Sequence, residues 1–499
     1  MDSAPNSTVM ISLWTVPDLI AATDAVSDGT TPGDITGVSI DTRTIKPGDL
    51  FVALKDTRDG HDFVATAFNK GAAAALVARH YGRQPDDVLL LRVDDPLVAL
   101  EALGRAARNR LSPDARVIAV TGSAGKTTTK EMLRTALAAI GPTHASEKSY
   151  NNHWGVPLTL ARMPASTRFG VFEIGMNHAC EITPLSRMVR PHIAIITTVG
   201  EAHIEHFPDG VAGIARAKAE IFAGLEPGGT AILPIESQYF ELLAGAVAPG
   251  CTIRTFCFGG GPNDSPADAH VASAGPRLVV IKLGSGTDRM FNVEWNADGS
   301  HMARNMSAVA LTVNELLGPW TEHFSPEETE RSQNWQKARQ SLSGWTPAAG
   351  RGARTLLGQS AEILLIDESY NANPASMRAA LAMLAQVPRD RYPRRIAVLG
   401  DMLELGADAP QLHAGLAADL DAAAVDLVLA CGPNMKHLYA ALPTSRQGTW
   451  AETSAGLVGA LLDVVRPGDV VMIKGSNGSR MAPLVDALKS RHDLAAPPR

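Results

Sequence analysis

Four cysteines in 499 residues, none in a C-x-x-C pair, leave neither a zinc knuckle nor a disulfide framework to be built. Cys180, Cys251, Cys257 and Cys431 are therefore expected to be packing residues. An excess of basic charge is also missing: 45 lysines and arginines stand against 52 aspartates and glutamates, a net charge of -7. With no long block of one sign, neither nucleic acid nor an anionic membrane is expected as the main partner. No stretch reaches the ~20 uninterrupted apolar residues of a membrane-spanning helix. Met1 to Val16 has neither the basic start nor the apolar core of a signal peptide. A cytoplasmic protein with no membrane insertion is the expectation.

The chain is long enough for about three domains of ~150 residues. Residues 1–113 read as mixed α/β, with apolar runs at Leu50 to Leu54 and Val88 to Val93 separated by alanine-rich helical stretches. Leu111-Ser112-Pro113-Asp114 reads as a linker. Across 114–317, β-type runs at Arg116 to Val120, Phe169 to Ile174, Ile193 to Val199 and Thr230 to Pro234 alternate with helix-like segments, as in a doubly wound parallel sheet. Gly259 to Pro276 reads as a surface loop near strands Leu278 to Leu283 and Asp288 to Val293. In 318–499, Ser325-Pro326-Glu327-Glu328 carries a helix-start signature, predicting a helix to about Leu342 that opens a third unit. Runs at Ile363 to Ile366, Arg395 to Leu399, Leu427 to Ala430 and Val470 to Ile473 then repeat the parallel α/β pattern.

The most informative stretch is Gly122-Ser123-Ala124-Gly125-Lys126-Thr127-Thr128, between an apolar strand and a helix-like segment. A helix that starts straight after a glycine turn aims unpaired N–H groups at an anion, with Lys126 adding charge and Thr127 a hydroxyl for Mg²⁺. ATP or GTP is the expected ligand; a glycine-rich turn without one is the plainer alternative. The loop is shorter than the G-x-x-x-x-G-K-[ST] form, whose first glycine would fall on Val120.

Glu173 ends a buried-type strand, where ligands of open α/β sheets gather, and is placed to bind Mg²⁺. The next strand leads to His203-Ile204-Glu205-His206, whose histidines lack a third ligand spaced for zinc and could equally be surface or cap residues. Lys218 follows on a helical stretch, where a lysine taken alone reads as a solvated side chain.

Together, Gly125-Lys126-Thr127-Thr128, the KSYNNHWGVP run from Lys148 to Pro157, Glu173 to Asn177, and His203 followed by Lys218 resemble the central domain of the Mur ligases, ATP-dependent amide ligases of peptidoglycan synthesis. Asp367-Glu368-Ser369-Tyr370-Asn371-Ala372-Asn373-Pro374 with Ser376-Met377 resembles the C-terminal segment of the member that adds D-alanyl-D-alanine. Arg395 to Gly406, His413 and Lys474-Gly475-Ser476 extend the likeness, though these could be ordinary strand-end loops. Ser39 to Arg43, Gly48 to Leu54 and Asp59 to Phe63 resemble the uridine-nucleotide-binding domain. Thr42 stands for a more common serine, Met302 for an asparagine in G-x-H-N-x-x-N, and Cys180 for a glycine; Pro234 to Asp298 and Gly318 to Gly344 match least.

The resemblance implies an N-terminal mixed α/β uridine-nucleotide-binding domain (1–113), a central P-loop parallel-sheet ATPase domain (114–317) and a C-terminal Rossmann-like α/β domain (318–499). It implies UDP-N-acetylmuramoyl-tripeptide and D-alanyl-D-alanine as substrates, ATP with two Mg²⁺ sites, and a monomer. Gly122 to Thr128, Asn305, Arg351, Asp367, Tyr370 and Asn371 would contact ATP, and Ser39, Asp41, Thr42, Arg43, Asn151 and Asn152 the substrate. Lys126, Glu173, His203 and Lys218 would be catalytic, with Thr127, Glu173, His203 and Lys218 holding metal, the last as a CO₂-derived carbamate. A carbamate suits that role because it is a hard anionic oxygen ligand where an ammonium would repel the cation. Three alternatives stay open: a sibling ligase adding the third amino acid, a P-loop kinase or hydrolase, and a nucleotide-binding scaffold without catalysis.

Overall fold

The computed structural model describes residues 12–30, 33–147, 149–259, 267–274, 278–283, 290–294, 299–318, 326–358 and 362–492. Lys148, Ser325 and much of the patch from Gly259 to Pro276 lie outside them.

Three sheets organise the described residues. The first runs in the order Val26–Gly29, Leu89–Val93, Ala74–Ala78, Asp49–Val52, Gly37–Ser39, parallel except for its first pair. Ala74–Ala78 falls in a stretch read from sequence as helical, and here the structure differs. All five residues are buried, so this is an inner strand whose short side chains let Phe51 and Leu90 pack beside them. A strand buried on both faces shows no alternation to betray it.

The second sheet has nine strands. Arg116–Thr121, third from one edge, lies between Phe169–Glu173 and Ile193–Ile196, both parallel to it. Thr143–Ala145 borders one side, while Thr230–Pro234, Thr252–Phe258 and Ala269–Ala274 continue the other, still parallel; the last is a sheet strand within the stretch expected to be a surface loop. The parallel sheet expected from sequence then acquires two antiparallel strands, Leu278–Leu283 and Met290–Glu294. Branched and aromatic residues fill both faces; Val120, Ile195 and Phe256 meet helix Ser300–Leu317 on one, and Ala119, Phe172 and Ile196 meet helix Ile182–Val189 on the other.

The third sheet has the order Ala353–Leu357, Ile363–Glu368, Asp469–Lys474, Arg394–Gly400, Leu427–Cys431, Gln447–Ala451, parallel after its first antiparallel pair. Helix Pro326–Ser343 was expected to open this unit. Its Trp335, Ala338 and Leu342 instead complete the core of the central sheet, with the Trp335 ring edge-on to Phe291 at 5.4 Å. Capping chemistry marks where a helix begins but not which sheet its apolar stripe will meet.

The first sheet is fastened to the second through helix Gly155–Ala161, whose Leu158 and Ala161 share a core with Trp14 and Leu103. Trp14 Nε1 donates to the Ala161 carbonyl at 2.8 Å, and the Arg110 guanidinium lies 3.6 Å over the same indole. Only turns join helix Pro96–Asn109 to strand Arg116–Thr121, where a linker was expected. No helix among the described residues is long and apolar enough to cross a membrane.

Cys257 and Cys431 are buried as expected of packing residues, and burial pushes the Cys431 thiol up to about 12. Cys180 is different: it is exposed and holds φ +68°, a left-handed conformation that costs a residue with a Cβ roughly 1 kcal/mol. Its backbone N–H donates to Glu220 Oε1 at 2.6 Å, so the turn is held from outside. Cys180→Gly should raise the melting temperature by a few degrees; a fall would show that the thiol makes a contact worth more than the strain.

His192 opens strand Ile193–Ile196, and its Nδ1 accepts the Val117 N–H at 2.9 Å, which requires a neutral ring. Burial, with Arg108 and Arg116 adding like charge, lowers its pKa to about 4. The unfolded chain takes up this proton near pH ~6.5, so His192 supports the fold fully above that and loses its contribution as pH falls toward 4. Melting temperature should therefore drop between pH 7 and 5, with a shallower slope in His192→Gln. An unchanged slope would remove His192 from this account.

Candidate active site

Strand Arg116–Thr121 ends in the glycine turn, and helix Lys126–Ala138 starts at once after Gly125, which sits at φ +86°. Close approach explains the glycines. A Cβ on Gly122 would come within 2.0 Å of Thr197 Oγ1, and one on Gly125 within 2.7 Å of Asn305 Oδ1. Asn305 therefore lies against the phosphate loop although it is 180 residues away in sequence. The loop is braced by its neighbours: Ala124 N–H donates to Thr198 Oγ1 at 2.8 Å, and Ser123 Oγ donates to the Gly200 carbonyl at 2.9 Å.

Beneath the loop, Thr127 Oγ1 donates to Glu173 Oε2 at 2.7 Å, and Asn151 Nδ2 donates to Glu173 Oε1 at 2.8 Å. Thr127 and Glu173 are both buried. Cis ligands of an octahedral Mg²⁺ at ~2.1 Å stand about 3 Å apart, so this pair of oxygens fits adjacent corners of that shell. Lys126 Nζ donates to the Gly122 carbonyl at 2.7 Å. Burial lowers the Lys126 pKa, Glu173 opposes the shift and Arg351 adds to it.

The opposite wall comes from the third sheet. Strand Ile363–Glu368 delivers Tyr370 and Asn371, and the Arg351 guanidinium stacks 4.0 Å over the Tyr370 ring. Arg351 also donates to Ser149 Oγ at 2.9 Å, and Ser149 is 3.4 Å from Thr127 Oγ1. The buried ammonium of Lys474 bonds Glu368 Oε2 at 3.0 Å and the Asn371 carbonyl at 2.9 Å, fixing the segment that carries Tyr370. Between these walls lies a cleft of about 790 Å³.

Ser123 to Thr128, Asn151, Glu173, His203, Asn305, Arg351, Tyr370 and Asn371, all singled out from sequence, line this cleft. Others stand back from it. Asp367 accepts from the N–H groups of Gly350 and Ser369 at 2.8 and 3.1 Å and from the Ser369 hydroxyl at 2.6 Å, so it shapes the turn behind Tyr370. Asn152 Oδ1 accepts the Gly155 N–H at 2.9 Å, at the start of helix Gly155–Ala161. Ser39, Asp41, Thr42 and Arg43 form a separate loop on the first sheet, with Arg43 exposed and paired to Asp41 at 2.6 Å. Just before that loop, the Val38 carbonyl accepts from Arg162 at 2.6 Å, and Arg162 also donates to Glu147 at 3.0 Å.

Lys218 is 2% exposed, on helix Gly210–Ala219. Burial and the Lys126 charge hold its ammonium well below the usual lysine range. The plain sequence reading of a solvated lysine is thereby corrected. His203 adopts φ +60° and points Nδ1 at Glu404 Oε2; Glu404 adopts φ +63°. Two left-handed residues facing one another across domains are strained positions of the kind that gather at functional sites. Glu404, Ser149, His301 and Asn373, which stand inside family-like runs but were given no role of their own, also line the cleft. His413 is buried, its Nε2 accepting the Met402 N–H at 2.9 Å and its Nδ1 donating to the Ala409 carbonyl at 2.6 Å, so it braces the turn bearing Glu404.

A phosphate loop over a buried hydroxyl–carboxylate pair, roofed by a second α/β unit, defines a nucleotide-dependent enzyme whose site is shared between domains. The chain belongs to the Mur ligase family: the family's catalytic domain matches residues 34–110, its middle domain 120–313 and its glutamate ligase domain 354–477. Among its relatives are the UDP-N-acetylmuramoyl-tripeptide–D-alanyl-D-alanine ligase of Escherichia coli, 32% identical over 94% of this chain and 97% of that one, and the ligase of the same name from Bacillus subtilis, 32% identical over 91% and 93%. A crystal structure of MurF from Acinetobacter baumannii, 30% identical, superposes with a TM-score of 0.78 over 97% of this chain and all of that one.

Proposed function

We propose that the protein joins the terminal carboxylate of UDP-N-acetylmuramoyl-tripeptide to the amine of D-alanyl-D-alanine, splitting ATP to ADP and phosphate and yielding the pentapeptide precursor of peptidoglycan. The observation that carries this reading is the single cleft shared by the phosphate loop and the Tyr370-Asn371 segment, in a chain whose relatives bear that ligase's name over nearly their full length.

A carboxylate is a poor electrophile, so one of its oxygens attacks the γ-phosphorus and ADP departs. The neutral amine of the dipeptide then attacks the acyl carbon. The C–O bond to phosphate breaks, phosphate leaves with that oxygen, and the amine's proton passes to solvent. Lys126 and the N–H groups of the phosphate loop offset charge on the phosphates. Thr127 and Glu173 would hold one Mg²⁺, and His203 with carbamylated Lys218 a second. When bound, these cations neutralise the charge that develops on the transferring phosphoryl. Arg351, stacked on Tyr370, would reach the nucleotide from the roof, and Asn305, which lies against the phosphate loop, would contact the adenine. Asp367 acts through the turn it holds. Ser39, Asp41, Thr42 and Arg43 would bind the uridine nucleotide, with Asn151 and Asn152 between the two ends of the precursor. The division is 1–113 for the UDP-muramoyl substrate, 114–317 for ATP and 318–499 for closure, with helix Pro326–Ser343 serving the middle unit. The protein would act as a cytoplasmic monomer.

Incubation with Mg²⁺-ATP, the UDP-tripeptide and D-alanyl-D-alanine, omitting each in turn, tests the reading. Phosphate release that needs all three, with a product of pentapeptide mass, supports it. Phosphate release without the dipeptide would point to a hydrolase.

A further inference from the structure

Asn373 is the most economical link between the two walls of the cleft. It is 7% exposed and precedes helix Pro374–Ala385 in extended conformation. Its Oδ1 accepts the Ser376 N–H at 2.9 Å, and its own N–H donates to Ser376 Oγ at 2.9 Å, a reciprocal cap that starts the helix. One half of the side-chain amide is thus spent within its own domain. The other half crosses to the neighbour: Nδ2 donates to the backbone carbonyl of Ser123 at 3.2 Å, 250 residues away in the middle of the phosphate loop.

Ser123 is itself tied down. Its N–H donates to the Thr198 carbonyl at 2.9 Å, and its hydroxyl exchanges two hydrogen bonds with Gly200, at 2.9 and 3.0 Å, on the segment leading to His203. On the other side, the residues just before Asn373 are rigid. Lys474 holds the Asn371 carbonyl at 2.9 Å, and Ser476 Oγ donates to the Ala372 carbonyl at 3.1 Å. A bond at Asn373 therefore sets how far Tyr370, Asn371 and the stacked Arg351 stand from the phosphates.

We propose that Asn373 is a positioning residue for phosphoryl transfer: its amide fastens the C-terminal domain to the phosphate loop so that Arg351 and Tyr370 meet the nucleotide in register. Its part is to act through Arg351 and Tyr370 rather than on the reacting atoms. The inference rests on the ligase reading, and the two fail differently, since the ligase reading fails on wild-type protein and this one fails only on the variants.

Asn373→Asp separates the two jobs of the side chain. An aspartate still accepts the Ser376 N–H, as does Asn373→Ser, and both are good caps. The aspartate has no hydrogen to donate to the Ser123 carbonyl and sets an oxygen against it, and the serine hydroxyl, one bond shorter, does not span to it. Expected for both is a melting temperature within about 2 °C of wild type, a kcat at least tenfold lower at saturating substrates, and a larger radius of gyration by X-ray scattering in the presence of Mg²⁺-ADP. Asn373→Ala should lose stability as well as kcat. Wild-type turnover and compaction in the aspartate and serine variants would overturn the proposal, leaving Asn373 a helix cap alone. Activity lost only in proportion to unfolded protein would overturn it too.

Discussion

Replacing Lys218 by alanine should lower kcat by at least ~100-fold, with partial recovery on adding formate or acetate. The size follows from what one preorganised electrostatic group contributes to a charged transition state. Three observations support the residue: it is almost fully buried, its ammonium is destabilised by burial and by Lys126, and it lies in the same domain as Thr127 and Glu173. A lysine held below its usual range presents the neutral amine that adds to CO₂, and the resulting carbamate carries the oxygens a hard cation prefers. The same logic gives a pH dependence. Acid restores the ammonium, so activity should fall as pH is lowered, and bicarbonate should slow the loss near neutrality. Rescue separates chemistry from folding, because a small carboxylate can replace missing oxygens but cannot repair a damaged core. Wild-type turnover by Lys218→Ala, or loss without rescue in a protein of normal melting temperature, would contradict the assignment.

The second large effect is expected at Glu173. Glu173→Gln keeps the size of the side chain but turns one of two acceptor oxygens into a donor, facing either the Thr127 hydroxyl or the Asn151 amide across 2.7 to 2.8 Å. The cation site loses its negative charge as well as an oxygen. Turnover should fall ~100-fold or more. Binding of Mg²⁺-ADP, measured as the rise in melting temperature that Mg²⁺ adds to ADP alone, should disappear. Asn151→Ala removes only the second support of that carboxylate and should fall between the two. If Glu173→Gln retained the full Mg²⁺-dependent rise, the hydroxyl–carboxylate pair would not be the cation site.

The parts legible in the sequence are those written locally. Strand Thr230–Pro234 was read to the residue and Arg116–Thr121, Ile363–Glu368 and Asp469–Lys474 to within one or two, because branched apolar runs bounded by polar turns leave few alternatives. The phosphate loop announced itself by strand, glycines, lysine and helix in one run. Ala74–Ala78 was illegible because alanine suits a helix and an inner strand equally, and only its neighbours decide. The start signal of helix Pro326–Ser343 is local, whereas its packing into the central core beside Phe291 is a tertiary fact.

The site divides in the same way. Lys126, Thr127 and Glu173 could be named from position at strand and helix ends, and resemblance to the family supplied His203, Lys218, Asn305 and Arg351. Resemblance did not say which polar residue faces the ligand and which holds the wall. Asp367 and Asn152 each hold a neighbouring backbone turn, while Asn373 and Glu404 reach across domains. Contacts between residues hundreds of positions apart leave no spacing to read; the one local hint was Asn373-Pro374, a helix start placed directly after Tyr370-Asn371.

The central claim is that ATP activates a carboxylate which an amine then captures, and oxygen labelling addresses it most directly. With ¹⁸O in the terminal carboxylate of the UDP-tripeptide, one labelled oxygen should appear in each phosphate released, the pentapeptide should retain the other, and release should require D-alanyl-D-alanine. Unlabelled phosphate, formed whether or not the dipeptide is present, would mean that water takes the phosphoryl group and that the protein is not a ligase.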